Sequence, residues 1–484
     1  MSSRPLRLTP AAMFRARELQ AIEETALRML EELGIEVSHP ALEARAQRQG
    51  FRPEQGRIRL PRRQVKSFLE EERGGRPLHR RGAASRAPER SRLKMCVSGY
   101  PDHFHDPETN EIVPFTTPRL IEATKLVGML GDRGLIPQVP GYPVDVAAPL
   151  QPVLQYRIGI ENLPNYSEPV DPKDLISFPY VMEMAEVLGT PIRGLPVYVV
   201  SPLKMAGESL NAVMKLESRL DEVYVTSYPT AGCTGPVRPA ETFALAAAEV
   251  LGSALILREC LEVEVVWEVA AYSFDLRGLA MSYGSPETLL LEIASREVNA
   301  YLHGEPWWPH LYNTGSTLAK LPDPQAAAEK MSYMTMAALW GAEVLPHAGC
   351  LSYSEVFSPM QLLVDLEMKD HVERLVHGLD TGCDPKACLE DVRAGLESGF
   401  MGLDRTLDLY RDLYWHPRLF ERRFLGPWKG DSCLSLERRA REMVRDLVAR
   451  HNYEPRAAVR AEVQRIYQRA ERELASAGNP VRRS

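Results

Sequence analysis

The 484-residue chain is poor in the features that mark specialised protein classes. Neither charge sign dominates: 58 basic residues against 65 acidic ones leave a formal charge of −7, spread along the chain. Nucleic-acid proteins need a basic surplus or stripe, so that class drops out. The Arg-, Gly- and Pro-rich stretch 73–92 reads as an exposed loop, because no aromatic side chains interleave its charges. No apolar run reaches the about 20 residues of a bilayer span. The longest, Phe243–Leu257, contains Glu249. Met1–Leu8 has no apolar core of a signal peptide, so none is expected. The seven cysteines are odd in number and scattered, as in a reduced cytoplasmic protein. The dinucleotide fingerprint G-x-G-x-x-G, the phosphate loop G-x-x-x-x-G-K-[ST] and the elbow G-x-S-x-G are all absent. What is present, 44% apolar and 25% charged residues, is the composition of an ordinary globular protein.

The first hundred residues read as a small helical cap. Leu19, Ile22, Ala26, Met29, Leu30 and Leu33 recur at helical spacing and Gly34 follows as a stop. A short strand Ile35–Val37 and helices over Pro40–Gln49 and Pro61–Glu72 come next. From about residue 118 the pattern changes to short apolar runs alternating with long amphipathic stretches. The runs are Leu135–Val139, Ile192–Val200, Glu222–Tyr228, Val263–Ala271, Pro306–Asn313 and Glu343–Ala348. Between them lie helical segments such as Pro172–Leu188, Pro239–Leu257, Ser285–Tyr301 and Pro324–Trp340. Sustained alternation of this kind predicts a parallel sheet wound with helices. Its length fits an α/β class TIM (β/α)8 barrel, with two weaker strands placed at Glu161–Val170 and beyond Leu375. Residues 1–117 are then an N-terminal cap, 118–385 the barrel and 386–484 a C-terminal helical extension. In that extension Leu434–Arg450 and Arg456–Leu474 read as charged amphipathic helices, the last one facing solvent.

In a barrel the chemistry sits at the C-terminal ends of the strands. Those ends carry many rings and few charges. They read Tyr228-Pro229-Thr230-Ala231-Gly232-Cys233-Thr234-Gly235-Pro236, then Tyr272-Ser273-Phe274-Asp275, then Tyr283-Gly284-Ser285. Further on come Trp307-Trp308-Pro309-His310-Leu311-Tyr312-Asn313 and His347-Ala348-Gly349-Cys350-Leu351-Ser352-Tyr353. Ring faces attract a quaternary ammonium without a hydrogen bond, so an aromatic mouth suits a cation. The competing reading is core packing, and of the adjacent Trp307 and Trp308 only one can point inward. His103-x-His105 reads as a surface hairpin. Cys383 and Cys388, split by Asp384-Pro385, read as structural thiols.

The order of these motifs resembles the trimethylamine methyltransferase superfamily, and within it the members without pyrrolysine, such as glycine betaine:corrinoid methyltransferases. The resemblance starts at Glu32-Leu33-Gly34-Ile35-Glu36-Val37. It continues through Ser201-Pro202-Leu203, Ala231–Val237, Tyr283–Glu287, Leu321–Ala326 with Glu329-Lys330, and His347-Ala348-Gly349. It ends on the helix Gln361–Glu367. It implies a TIM barrel that moves a methyl group from a quaternary amine to Co(I) of a partner corrinoid protein. The cobalamin is carried by that partner, no tightly bound cofactor or metal is expected on this chain, and the cobalt is the nucleophile, so no catalytic side chain is assigned. The resemblance puts His347 on a substrate carboxylate, with Thr230 to Thr234 as the facing wall. Tyr283 and Trp307 or Trp308 are cage candidates, Tyr228 and Tyr312 are further substrate-binding candidates, and Arg238 either pairs with a substrate carboxylate or caps the surface. Gly235, Arg238 and Ser352 depart from the usual pattern. Ordinary residues at Ser352–Ser354, where relatives carry pyrrolysine, argue against trimethylamine itself. A ligand-binding barrel without methyl transfer, and a zinc barrel using His347 and Cys350, stay open as rivals. Homo-oligomerisation is expected by default, with no membrane or nucleic-acid partner.

Overall fold

A computed structural model describes residues 12–74, 93–167, 175–306, 315–431 and 433–477. The fold mixes α-helices with short strands, many of them paired in parallel. The opening helix runs Ala16–Glu32 and buries Ile22, Ala26, Leu27 and Leu30, the face that its apolar spacing predicts. Gly34 ends it at φ 70°, and a Cβ there would lie 2.5 Å from the Ile58 carbonyl oxygen, so only glycine fits. The strand Ile35–Val37 pairs antiparallel with Arg57–Ile58 and parallel with Lys204–Met205, which stitches the N-terminal layer to the middle of the chain.

The centre is a parallel trio in the order Glu264–Trp267, Glu222–Ser227, Gly194–Val199. Side chains alternate along each strand, so Leu195, Val197 and Val199 fall on one face with Val223 and Val225. The helix Pro239–Cys260 packs on this sheet and on the opening helix. It is long and apolar enough to cross a membrane, yet most of it is buried within the protein, where it serves as the core helix. Gly252 lets the two helices approach: a Cβ there would sit 2.5 Å from Leu30 Cδ2.

A second parallel pair, Lys94–Met95 with Val344–Leu345, gives residues before 118 a place in the same core. Beside it, Val356–Phe357 pairs with Cys350–Leu351 and with His103–His105, which forms the expected hairpin with Ile112–Pro114. That hairpin is only half at the surface. His103 is exposed, whereas His105 is buried between Asn110 and Ser358.

Three expected strands differ. Leu135–Val139 shrinks to a single bridge between Leu135 and Met95. Glu161 and Asn162 close the helix Gln151–Asn162, so no strand begins there, and 168–170 lie outside the described residues. Beyond Leu375 the helix Pro359–Val376 ends and the next element is another helix, Pro385–Ser398. The run Pro306–Asn313 lies outside the described residues from 307 onward. The last helix, Ala457–Ala477, is not a solvated rod: Val463, Ile466, Tyr467, Ala470 and Leu474 are buried, and it packs on Gln151–Asn162 and Phe178–Leu188. Its Arg and Glu residues cover only the outer face.

Candidate functional site

The end of each strand in the parallel trio delivers a tyrosine or a tight turn. Tyr228 follows Glu222–Ser227 and is 44% exposed. Its ring lies 5.6 Å from Tyr198 and 5.1 Å from the buried Tyr272. Tyr272 opens the strand Tyr272–Asp275, which pairs in parallel with Thr230–Ala231 so that Thr230 stands opposite Tyr272. The Thr230 carbonyl accepts the N–H groups of Cys233, Thr234 and Gly235, winding this segment into a compact turn. The Thr234 hydroxyl accepts the Thr230 N–H at 2.9 Å. Both threonines thus shape the turn first. Arg238 is exposed at the N-cap of Pro239–Cys260. Trp307, Trp308 and Tyr312 lie outside the described residues.

A second ring group forms around Tyr283. It stacks on Tyr353 with centroids 3.7 Å apart and planes 8° apart, and the His347 ring lies 5.1 Å from Tyr353. Three residues of this loop, His347, Ser352 and Tyr353, have φ between 47° and 65°, a region that side chains seldom occupy. Strain of that kind persists only where the surroundings over-determine the backbone, and here they do. Lys330 and Asp365, both with fully buried side chains, pair at 2.7 Å. Lys330 Nζ also donates to the His347 carbonyl at 2.9 Å, and Asp365 accepts the Gly349 N–H at 2.7 Å. Gln361 donates to the other Asp365 oxygen at 2.7 Å. On the far side of the loop, the N–H groups of Ser352 and Tyr353 donate to the carbonyls of Ala319 and Thr317.

A second buried carboxyl holds the turn after Gly194–Val199. Glu249, from the middle of the core helix, accepts the Ser201 hydroxyl at 2.9 Å and the Leu203 N–H at 3.0 Å. The Ser201–Pro202 peptide is cis and Leu203 sits at φ 56°. Burial pushes the Glu249 carboxyl up to about 7 against the pull of these hydrogen bonds.

The electrostatics of the ring groups are those of a neutral site. Burial keeps the phenols protonated: Tyr283 is pushed up to about 12, and Tyr272 and Tyr353 are pushed well above the usual phenol range. Burial, helped by the Lys330 ammonium, pushes His347 down to about 3, although part of its surface is open. The imidazole is therefore neutral, a hydrogen-bonding group rather than a cation. The negative charge that Tyr272, Tyr283 and Tyr353 all feel is Glu292, on the helix Pro286–His303. Burial also pushes the Cys350 thiol up to about 11, away from the thiolate that zinc requires. Among the described residues no group of three or more His, Cys, Asp or Glu side chains is placed to hold a metal ion.

The structure therefore brings His347, Tyr283 and the unassigned Tyr353 together, and separately groups Tyr228 with Tyr198 and Tyr272. Sequence reasoning missed Tyr198, Tyr272, Tyr353 and Glu292 as members, although Tyr272 and Tyr353 stood in the strand-end motifs.

Against known proteins, the chain is 27% identical over 331 residues to a trimethylamine methyltransferase of Methanosarcina mazei, 68% of this chain and 66% of that one. It spans two thirds or less of the trimethylamine methyltransferases that it matches. A glycine betaine methyltransferase of Desulfitobacterium hafniense is 25% identical over 452 residues, 91% of this chain and 92% of that one. A proline betaine:corrinoid methyltransferase of Eubacterium limosum is 25% identical over 278 residues, 55% of each. The model of the family described as trimethylamine methyltransferase (MTTB) matches residues 183–474, more than half of the chain, and the chain belongs to that family.

Proposed function

We propose that this protein takes a methyl group from a quaternary amine of the glycine betaine kind and passes it to the reduced corrinoid of a separate partner protein. Family membership supports the reaction class. Similarity along nearly the whole chain to a glycine betaine methyltransferase supports a betaine over trimethylamine. The observation that carries the reading is the stacked Tyr283–Tyr353 pair beside a neutral His347, in a site whose phenols hold their protons.

That environment suits the chemistry. Transfer breaks one C–N bond, and the electron pair stays on nitrogen, so a cationic amine becomes a neutral one and no general acid is needed. Ring faces hold the cation by their quadrupoles, and Glu292 adds a negative field. The attraction fades as the charge is lost, so a tight cage would favour the ground state and slow transfer. Half-open tyrosine faces are a workable compromise. His347 donates to the substrate carboxylate as a neutral imidazole, and Thr230, Thr234 and Arg238 line the opposite approach. The partner's corrinoid supplies the nucleophile, and what this chain does is bind, orient and exclude water. The frame for this site is a (β/α)8 barrel over 118–385, closed with help from Lys94–Met95, between the 1–117 cap and the 386–484 extension.

The test is anaerobic. The protein is mixed with a reduced corrinoid protein and offered betaines, carnitine, choline and trimethylamine in turn, while the absorbance of the reduced corrinoid is followed. Loss of that absorbance with a quaternary amine, and none with trimethylamine, is the expected result. Silence across the panel with a competent corrinoid protein overturns the reading.

A further inference from the structure

Two consecutive helices of this chain have no core of their own. Pro385–Ser398 and Asp404–Leu413 bury no side chain, which is unusual for helices of 14 and 10 residues. Helices this short are marginal alone and take their stability from a buried face. Each nevertheless carries an apolar stripe. On the first, Leu389, Val392 and Leu396 stand at i, i+3 and i+7 and are exposed. The second repeats the spacing in Leu407, Tyr410 and Tyr414, again exposed. The helices form one hairpin: Arg405 pairs with Asp391 at 2.9 Å, and Phe400 from the connecting turn packs on Gly395. At the tip, Met401 is 88% exposed, and Leu396 on the first helix is 82% exposed.

Aromatic side chains offer about 150–250 Å² each and Leu, Val and Met less, so the exposed parts of these eight residues come to roughly 700–900 Å² of surface. Soluble proteins seldom leave an apolar patch of that size uncovered. It equals one partner's share of a standard protein–protein interface, about 800 Å².

From this we infer that the 385–414 hairpin is the contact through which a second copy of the same chain binds. Position favours a copy over the corrinoid protein. The helix Pro359–Val376 starts at Ser358, whose N–H donates to the Gly349 carbonyl beside His347, and near its other end Arg374 donates to the Leu413 carbonyl of the hairpin. Eighteen helical residues separate the two ends, about 27 Å, so the foot of the hairpin at Leu413 lies well away from the His347 loop that a methyl acceptor must reach. Charge disfavours a lipid surface: residues 385–414 hold six acidic side chains against four basic ones, whereas membrane-binding helices are basic. Charges of both signs beside the stripes, Arg393 and Arg411 with Glu390 and Glu397, make the polar rim of a two-fold contact in which each patch meets itself.

The test is the solution mass of the full chain, by light scattering across a micromolar concentration series. The wild type is expected at twice the 54.4 kDa chain mass or a higher even multiple. Leu396→Asp combined with Leu407→Asp, at two exposed positions, is expected to halve that mass with the far-ultraviolet circular dichroism unchanged. Amide exchange over 385–414 is expected to be slower in the wild type than in the double variant at the same concentration. A monomeric wild type overturns the inference, as does an oligomer that survives the double variant. Exchange over 385–414 that is as fast in the wild type as in the double variant, or slows only when vesicles or a corrinoid protein are added, overturns it equally.

Discussion

Lys330 and Asp365 form a buried ion pair that also grips the two ends of one turn: the ammonium donates to the carbonyl of His347, and the carboxylate oxygen that pairs with Lys330 accepts the N–H of Gly349. A buried pair of this kind contributes less to net stability than to position, because desolvating both charges costs about what their attraction returns. Its effect is to hold a backbone at φ 65° that would otherwise relax.

Replacing only one partner exposes that balance. Lys330→Met leaves the Asp365 carboxyl buried without its cation, and the expected loss is about 3–5 kcal/mol of unfolding free energy. Lys330→Met with Asp365→Leu is expected to cost clearly less than the two single changes summed, measured by urea unfolding as a double-mutant cycle. Additive losses would show that the two side chains act separately.

His347 yields a prediction about pH. With the imidazole pushed down to about 3, its protonation state does not change between pH 5 and 8. Affinity for a carboxylate-bearing amine is therefore expected to be flat in that window as far as His347 is concerned. His347→Ala is expected to raise KM about tenfold, the effect of losing one hydrogen bond to a charged group. A KM that climbs through pH 6.5 in the wild type, and not in the variant, would show a histidinium anchor instead.

The parts legible in the sequence were those with a local period. The opening helix and the strands at Ile35–Val37 and Glu222–Ser227 stand within a residue or two of where their apolar spacing puts them. Lys94–Met95 was invisible because two residues hold no period, and it is fixed by partners 250 residues away. The clamp was invisible for a different reason. Lys330 on a helix reads as a surface charge, and nothing nearby announces that Asp365 and Gln361 bury with it. The only signal was that Lys330 and Asp365 both fell within family-like motifs. Tyr283 and His347 were identifiable as strand-end residues, whereas the Tyr353 stack needed the backbone reversal at Ser352–Tyr353, which no propensity foretells.

The stack itself can be tested by separating ring from hydroxyl. If the ring face attracts the cation, Tyr283→Phe and Tyr353→Phe keep most of the affinity for a quaternary amine. Tyr283→Ala is expected to lose about 1–2 kcal/mol, or about five- to thirtyfold in Kd by calorimetry. Equal losses in the Phe and Ala variants would assign the contribution to the hydroxyl, and no loss in either would remove the pair from the site.

Glu249 makes the protein's stability respond to pH in the direction opposite to most carboxylates. Its folded value, about 7, lies above the ordinary 4.5, so the folded protein holds this proton more tightly than the unfolded chain does. Below pH 4.5 both states are protonated and nothing is lost. As pH rises from 4.5 to 7 the unfolded chain ionises first, and stability falls by about 3 kcal/mol before levelling off. Glu249→Gln keeps an oxygen to accept the Leu203 N–H and leaves Ser201 free to turn its hydroxyl, yet it has no proton to lose. The variant is therefore expected to gain on the wild type by about 2–3 kcal/mol between pH 5 and pH 8, read from urea unfolding at each pH. Other titrating groups, the buried histidines among them, are common to both proteins and cancel in the difference. Parallel stability profiles would mean that Glu249 is already ionised in the folded protein at pH 5, with its hydrogen bonds to Ser201 and Leu203 outweighing burial.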